Sequence, residues 1–420
     1  MSATADAGSP GLSGWLASVR RTLDRPLAPY YLLLGATGLL LAIGLVMVLS
    51  ASSVDSFEKH GGNSYYWATK QLVWVLIGIP CAWVAMRLPL RLVRIASWPM
   101  IVVAMVLLVL TQTSMGVEVS GNKNWLAVGP IQVQPSEVAK FAMVLWCADV
   151  YARKDALLGS WRHLFFPVVP VTGLLTVLVL VGGDLGTALV LFAITLGMFW
   201  VIGVPARVFV AAVSVVSVAA LYLAASSQER LNRITSFVNP FDDFQNSGWQ
   251  AAHGILGMAS GGLLGKGIGA SQQKWGNLPE AHTDFIFAVL GEELGLVGTL
   301  LVLSLFLTIA YAGIRVAMQT DTLFIRYAAA GVVIWLMAHV VINIGMVLAL
   351  LPVIGIPLPL VSYGGSSLVP ELVALGLLIG FARMEPSAAG ALRQRRSERR
   401  AERVRARSAV NAGARPRRPQ

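Results

Sequence analysis

Residues 279–287 read Pro-Glu-Ala-His-Thr-Asp-Phe-Ile-Phe. Two carboxylates and one imidazole, from Glu280, His282 and Asp284, stand immediately before an apolar run. A helix beginning at Asp284 would place all three groups at a membrane–water boundary. A carboxylate there is costly unless it serves something, and ionisable groups at membrane depth usually mark sites. The simpler alternative is a helix cap from Thr283 or Asp284, worth about 1 kcal/mol. A cap needs one small polar residue, and it leaves Glu280 and His282 without a task.

Two further polar constellations interrupt apolar sequence. Gly121-Asn122-Lys123-Asn124-Trp125 leads into Gln134-Pro135-Ser136-Glu137-Val138-Ala139-Lys140. Pro135 suits the first turn of a helix, and Glu137 its positive end. Glu137 and Lys140, three residues apart, share a helix face. Lys140 either snorkels, pairs with an acid, or binds an anion inside the bundle. Trp125 suits a cavity wall or an interfacial aromatic belt. The third run, Leu351 to Ser367, carries three prolines and three glycines. It cannot be one helix, and at membrane depth such backbone must be buried in protein or line a cavity. Ser362 and Ser366 are its candidate polar contacts, Ser366 or Ser367 would cap the helix that follows, and Asn343 and Glu371 flank it.

The elements that position these groups follow from composition. Of 420 residues, 56% are hydrophobic and 13% charged, whereas a soluble domain carries about 25% charged residues. The chain is expected to be an all-α polytopic membrane protein. Ten apolar segments approach the roughly 20 residues that a membrane helix needs. They lie near 30–52, 67–86, 95–112, 135–151, 164–181, 184–203, 206–225, 285–314, 327–348 and 366–383. No cleavable signal is apparent in residues 1–29. Arg and Lys concentrate in alternate loops, at Arg87, Arg91, Arg94, Arg153, Lys154, Arg162, Arg207, Arg315 and Arg326. By the positive-inside rule both termini are cytoplasmic. The loops at 53–66, 113–134, 226–284 and 349–365 then face outward, the largest lying between the seventh and eighth spans. Residues 1–29 and 384–420 form tails around a 30–383 transmembrane domain.

Several features are less specific. From Arg383 onward the chain has 12 Arg against 3 Glu, which accounts for most of the net charge of +11. Such a run reads as a solvated arm that would also hold anionic lipid; nothing else points to nucleic acid. Cys81 and Cys147 lie within spans, so no disulfide framework is implied. The run Ser260 to Gly269 has a Gly265-Lys266 pair but lacks the other positions of a Walker loop. Its glycines suit a tight turn, or its amides with Lys266 or Lys274 suit a phosphorylated lipid head group.

The blocks Gln134-Pro135-Ser136-Glu137 with Lys140, Asp184-Leu185-Gly186-Thr187-Ala188, Ser260 to Glu293 and Leu358 to Ser367 together resemble the SEDS family (shape, elongation, division, sporulation), and its division type more than its elongation type. The most specific match is Pro279 through Glu293, and the resemblance spans roughly 30–383. It implies a peptidoglycan glycosyltransferase that polymerises lipid II at the outer face of the membrane, beside a class B penicillin-binding protein acting as transpeptidase. It implies Asp284 as catalytic acid, Lys140 in a central cavity, and a divalent metal ion, Mg2+ or Mn2+, whose ligands it leaves unknown. The chain departs from the family pattern at Asn124, at Gly182-Gly183 and at Trp249 with His253.

The residues suit that chemistry. Glycosyl transfer from a lipid pyrophosphate needs a base for the acceptor hydroxyl. The leaving group needs no proton, so one carboxylate suffices. Positive charge near the pyrophosphate would come from Lys140, a metal ion, Lys266 or Lys274. A lipid flippase or other transporter is the competing class, but the polar clusters gather at the outer ends of spans. A scaffold for division proteins would leave Asp284 idle.

Overall fold

The computed structural model describes residues 21–394, except 22, 120, 130, 226–239, 243, 245–247, 387, 389 and 391–393. The basic tail and the start of the 226–284 loop thus lie largely outside the described residues. The helices are α1 Ala28–Lys59, α2 Tyr66–Ala85, α3 Leu90–Thr111, α4 Pro135–Lys154, α5 Trp161–Phe165, α6 Val168–Val181, α7 Leu185–Val201, α8 Ala206–Ala225, α9 Trp249–Ser260, α10 Ile286–Gln319, α11 Leu323–Val347 and α12 Leu368–Met384. Each of the ten expected spans is helical, with α5 and α6 forming one of them. Among the described residues seven are long and apolar enough to cross a membrane on those grounds alone. Helix α4 carries Glu137, Lys140, Asp149, Arg153 and Lys154, and it is buried against α3 and α11, where its charges find partners.

Burial sorts the bundle. The apolar stretch of α12 is 89% buried and that of α11 67%, against 22% for α2 and 28% for α3. Helices α11 and α12 are therefore central, while α2 and α3 turn Leu76, Ile79, Val102 and Val106 outward, as lipid-facing helices do.

Four features depart from the expected helices. Gly116–Val119, Asn122–Val128 and Ile131–Val133 form an antiparallel sheet, β1-β2-β3, so the architecture is not purely helical. Helix α9 occupies part of the large loop. Helix α10 begins at Ile286 rather than Asp284, with Phe285 at its cap position and no side-chain cap. It also breaks at Gly295, whose φ of +66° is a left-handed conformation that glycine adopts without strain.

The 351–367 segment is buried in protein, as its prolines require. A Cβ on Gly44 of α1 would stand 2.4 Å from the Leu360 carbonyl oxygen, so glycine is what allows this close approach. Backbone and side-chain bonds gather the sheet, the 182–184 turn, the 261–285 loop and the 348–367 segment at one end of the bundle. The Arg-rich loops occupy the other end.

Candidate active site

The polar run before α10 forms a tight turn. Glu280 holds a φ of +56°, and its carbonyl accepts from Thr283 N at 3.2 Å and Phe285 N at 3.1 Å. Thr283 Oγ1 donates to Glu280 Oε2 at 2.6 Å. Neither Thr283 nor Asp284 caps the helix, which removes the simple structural account of this acid. The Asp284 backbone is fixed instead. Asn343 Nδ2 donates to the Asp284 carbonyl at 2.8 Å and to the Ile356 carbonyl at 2.7 Å. The Asp284 carboxylate accepts no hydrogen bond among the described residues. It stays partly open but is enclosed by protein, and this burial, with the like charges of Glu280 and Asp184, pushes it up to about 7. His282 stacks on Trp67 with ring centroids 5.4 Å apart and faces Tyr363 at 5.9 Å. Burial holds His282 below its usual value, against the opposing pull of Glu280 and Asp55.

Asp184 is a second acid at this end, absent from the sequence-based candidates although its Asp-Leu-Gly-Thr-Ala block was visible. It caps α7 by accepting from Thr187 N at 2.8 Å. Asn124 Nδ2 at 3.0 Å and Gln134 Nε2 at 3.2 Å also donate to it. The sheet makes this possible: Lys123 N bonds the Gly182 carbonyl at 2.9 Å, seating β2 on the turn that carries Asp184. Trp125 follows Asn124 on β2, so pleating aims it to the opposite face, away from Asp184.

Lys140 does not reach Asp284. Its Nζ lies 2.7 Å from Glu137 Oε1 and 2.9 Å from His339 Nε2, and all three residues are buried. Of the alternatives left open for Lys140, pairing with an acid is the one found. Glu137 Oε2 has no hydrogen-bond partner among the described residues. His339 and Asn343 are one turn apart on α11, so this helix touches both the Lys140 pair and the Asp284 backbone. Glu371 lies on the neighbouring helix and accepts from Leu360 N at 3.1 Å.

The glycine-rich run completes the break in α10. A break at Gly295 frees helical amides and carbonyls, which need partners when buried. Leu296 N and Val297 N bond the carbonyls of Gly262 and Leu263, and Lys266 N and Gly267 N bond those of Glu292 and Glu293, at 2.9–3.1 Å. Lys266 Nζ lies 2.7 Å from Glu292 Oε1. Lys274 is buried, donating to the Gly269 carbonyl at 2.6 Å and standing 3.6 Å from Glu293 Oε1. Both lysines thus neutralise buried acids, and the backbone bonds of this loop clasp the break in α10. Ser362 Oγ accepts from Leu358 N at 2.8 Å, and Ser366 Oγ from Gln134 N at 3.0 Å. Both hydroxyls brace backbone, and neither Ser366 nor Ser367 caps α12 through its side chain.

Among the described residues no group of three or more His, Cys, Asp or Glu side chains could hold a metal ion. The side chains near Asp284 therefore do not fit a dedicated metal cage.

Residues 31–386 match the family model of the cell cycle proteins FtsW, RodA and SpoVE. The chain is 38% identical over 395 residues to a Mycobacterium tuberculosis protein named probable peptidoglycan glycosyltransferase FtsW, covering 94% of this chain and 75% of that one. It is 37% identical over 359 residues to stage V sporulation protein E of Bacillus subtilis, covering 85% and 97%. The fold matches a chain of a solved peptidoglycan synthase complex with a TM-score of 0.68 at 25% identity, over 84% of this chain and 97% of that one. It matches the rod shape determining protein RodA of Thermus thermophilus with a TM-score of 0.61 at 28% identity, over 85% and 97%.

Proposed function

The chain belongs to the FtsW, RodA and SpoVE family of cell cycle proteins, and on that premise we propose that it is a peptidoglycan glycosyltransferase polymerising lipid II, with Asp284 as its general base. It is a multi-pass membrane protein. The observation that carries the catalytic assignment is the Asp284 carboxylate, enclosed, free of hydrogen bonds among the described residues and raised to about 7. A base that titrates near the working pH combines availability with driving force.

In the proposed reaction the acceptor hydroxyl of one lipid-linked sugar attacks the anomeric carbon of another. The bond from that carbon to the pyrophosphate oxygen breaks, the electron pair leaves with the pyrophosphate, and the hydroxyl proton passes to Asp284. Asn343 holds the Asp284 backbone in place. Glu280 and Asp184 keep the base poised by like charge, and His282 on Trp67 forms the neighbouring wall. Lys140 acts through Glu137 and His339 as a positioning residue, not as a clamp on pyrophosphate.

A divalent ion belongs to this proposal only together with the substrate, because the side chains by themselves do not fit one. Such an ion would neutralise charge on the departing pyrophosphate. The proposal includes a class B penicillin-binding protein as crosslinking partner, cytoplasmic termini and a role at the division septum. The likeness to a chain of a peptidoglycan synthase complex that coordinates polymerization and crosslinking supports the partner, and the Arg-rich loops support the cytoplasmic termini.

The test is purified protein with its transpeptidase and lipid II, assayed for glycan chains. Asp284→Asn should abolish synthesis while leaving insertion intact. Full synthesis by this variant removes the catalytic assignment. Loss of lipid II movement between leaflets, with synthesis from external lipid II retained, replaces it with a flippase.

A further inference from the structure

At the end of the bundle away from Asp284, a cleft of about 440 Å³ is lined by Leu90, Arg91, Arg94, Ile95 and Arg153. Behind two of these arginines lies Asp149, which is fully buried. Arg94 Nε donates to Asp149 Oδ1 at 2.7 Å, Arg153 Nε to Oδ2 at 2.6 Å, and Trp98 Nε1 to Oδ2 at 2.9 Å. Both arginines are gripped through Nε alone, and their terminal nitrogens have no partner among the described residues. Arg94 is further held over the Phe324 ring at 5.6 Å. Arg91 has no ionic partner among the described residues. Three guanidinium groups against one carboxylate leave the cleft two positive charges in excess.

Beside it, α3 exposes Leu92, Ile95 and Trp98, an apolar strip that continues from the cleft along the lipid-facing side of the helix. Arginines that only set orientation need no buried acid to aim them. Planar guanidinium forks suit phosphate oxygens, and basic pockets between membrane helices bind anionic head groups. We propose that this cleft binds the phosphodiester head group of an anionic diacyl phospholipid from the adjacent leaflet, its acyl chains lying along Ile95 and Trp98. The inference rests on the membrane-spanning architecture and is independent of Asp284.

Native mass spectrometry of the full-length protein, titrated with phosphatidylglycerol, with phosphatidylcholine of the same chains, and with glycerol phosphate, tests it. Phosphatidylglycerol should be retained at least tenfold more tightly than phosphatidylcholine. Arg91→Gln with Arg153→Gln should lower phosphatidylglycerol affinity about tenfold without altering phosphatidylcholine. Arg91→Gln alone leaves Asp149 paired and should give part of that loss, so it decides the matter if the double variant misfolds. The basic tail is present throughout and cancels. Equal retention of the two lipids, or unchanged phosphatidylglycerol affinity in the Arg91→Gln protein, overturns the site. Glycerol phosphate competing as well as the lipid overturns the lipid assignment.

Discussion

Asn343 ties Asp284 to Ile356: one side-chain nitrogen donates to both carbonyls, at 2.8 and 2.7 Å. The candidate base is thus anchored to α11, which carries Asn343, and through it to the Pro- and Gly-rich segment. Asn343→Leu keeps the volume and removes both donors. Each buried carbonyl left unpaired costs about 1–3 kcal/mol, and small displacements of a reacting group are expensive in rate. Polymerisation should fall tenfold or more with the protein still membrane-inserted. Unchanged polymerisation would show that the anchor is irrelevant to the chemistry.

The pH dependence follows from the raised Asp284 carboxyl. A base is active when deprotonated, so kcat/KM should rise with pH through about 7 and then level off. Glu280 contributes to the upward shift, so Glu280→Gln should move the rising limb to lower pH. A limb that stays put on this substitution would sink the like-charge account.

Lys140 and Glu137 form a buried pair, and breaking such a pair costs about 3–5 kcal/mol because one charge is left uncompensated. Lys140→Met should therefore sharply reduce thermal stability and activity. Adding Glu137→Gln should recover much of the stability. If the double variant is no more stable than Lys140→Met alone, the pair is not what holds this part of the bundle.

Orientation is testable with single cysteines in a background lacking Cys81 and Cys147. Ile268 and Leu157 are both exposed and sit at opposite ends of the bundle. Ile268→Cys should react with a membrane-impermeant thiol reagent in intact cells, and Leu157→Cys only after permeabilisation. The reverse pattern would invert the topology expected from the Arg and Lys loops.

What the sequence determined by itself was whatever local spacing encodes. Apolar windows of helix length located the ten spans, because a bilayer demands continuous apolar helix. Alternating Arg-rich loops sorted the two ends, and the prolines of 351–367 forbade a helix there. The Pro279 to Glu293 run singled out Asp284, and the three-residue spacing made Glu137 an available partner for Lys140. Tertiary structure decided everything that depends on residues distant in the chain. His339 approaches Lys140 from 199 positions away, Asn343 reaches Asp284 across 59, and Asn124 reaches Asp184 across 60. Lys274 is buried and Lys266 stays at the surface, yet both point to the acids beside the broken turn of α10, Lys266 to Glu292 and Lys274 to Glu293. A buried charge takes whichever partner packing brings within bonding distance, and packing between helices leaves no local trace in the order of residues.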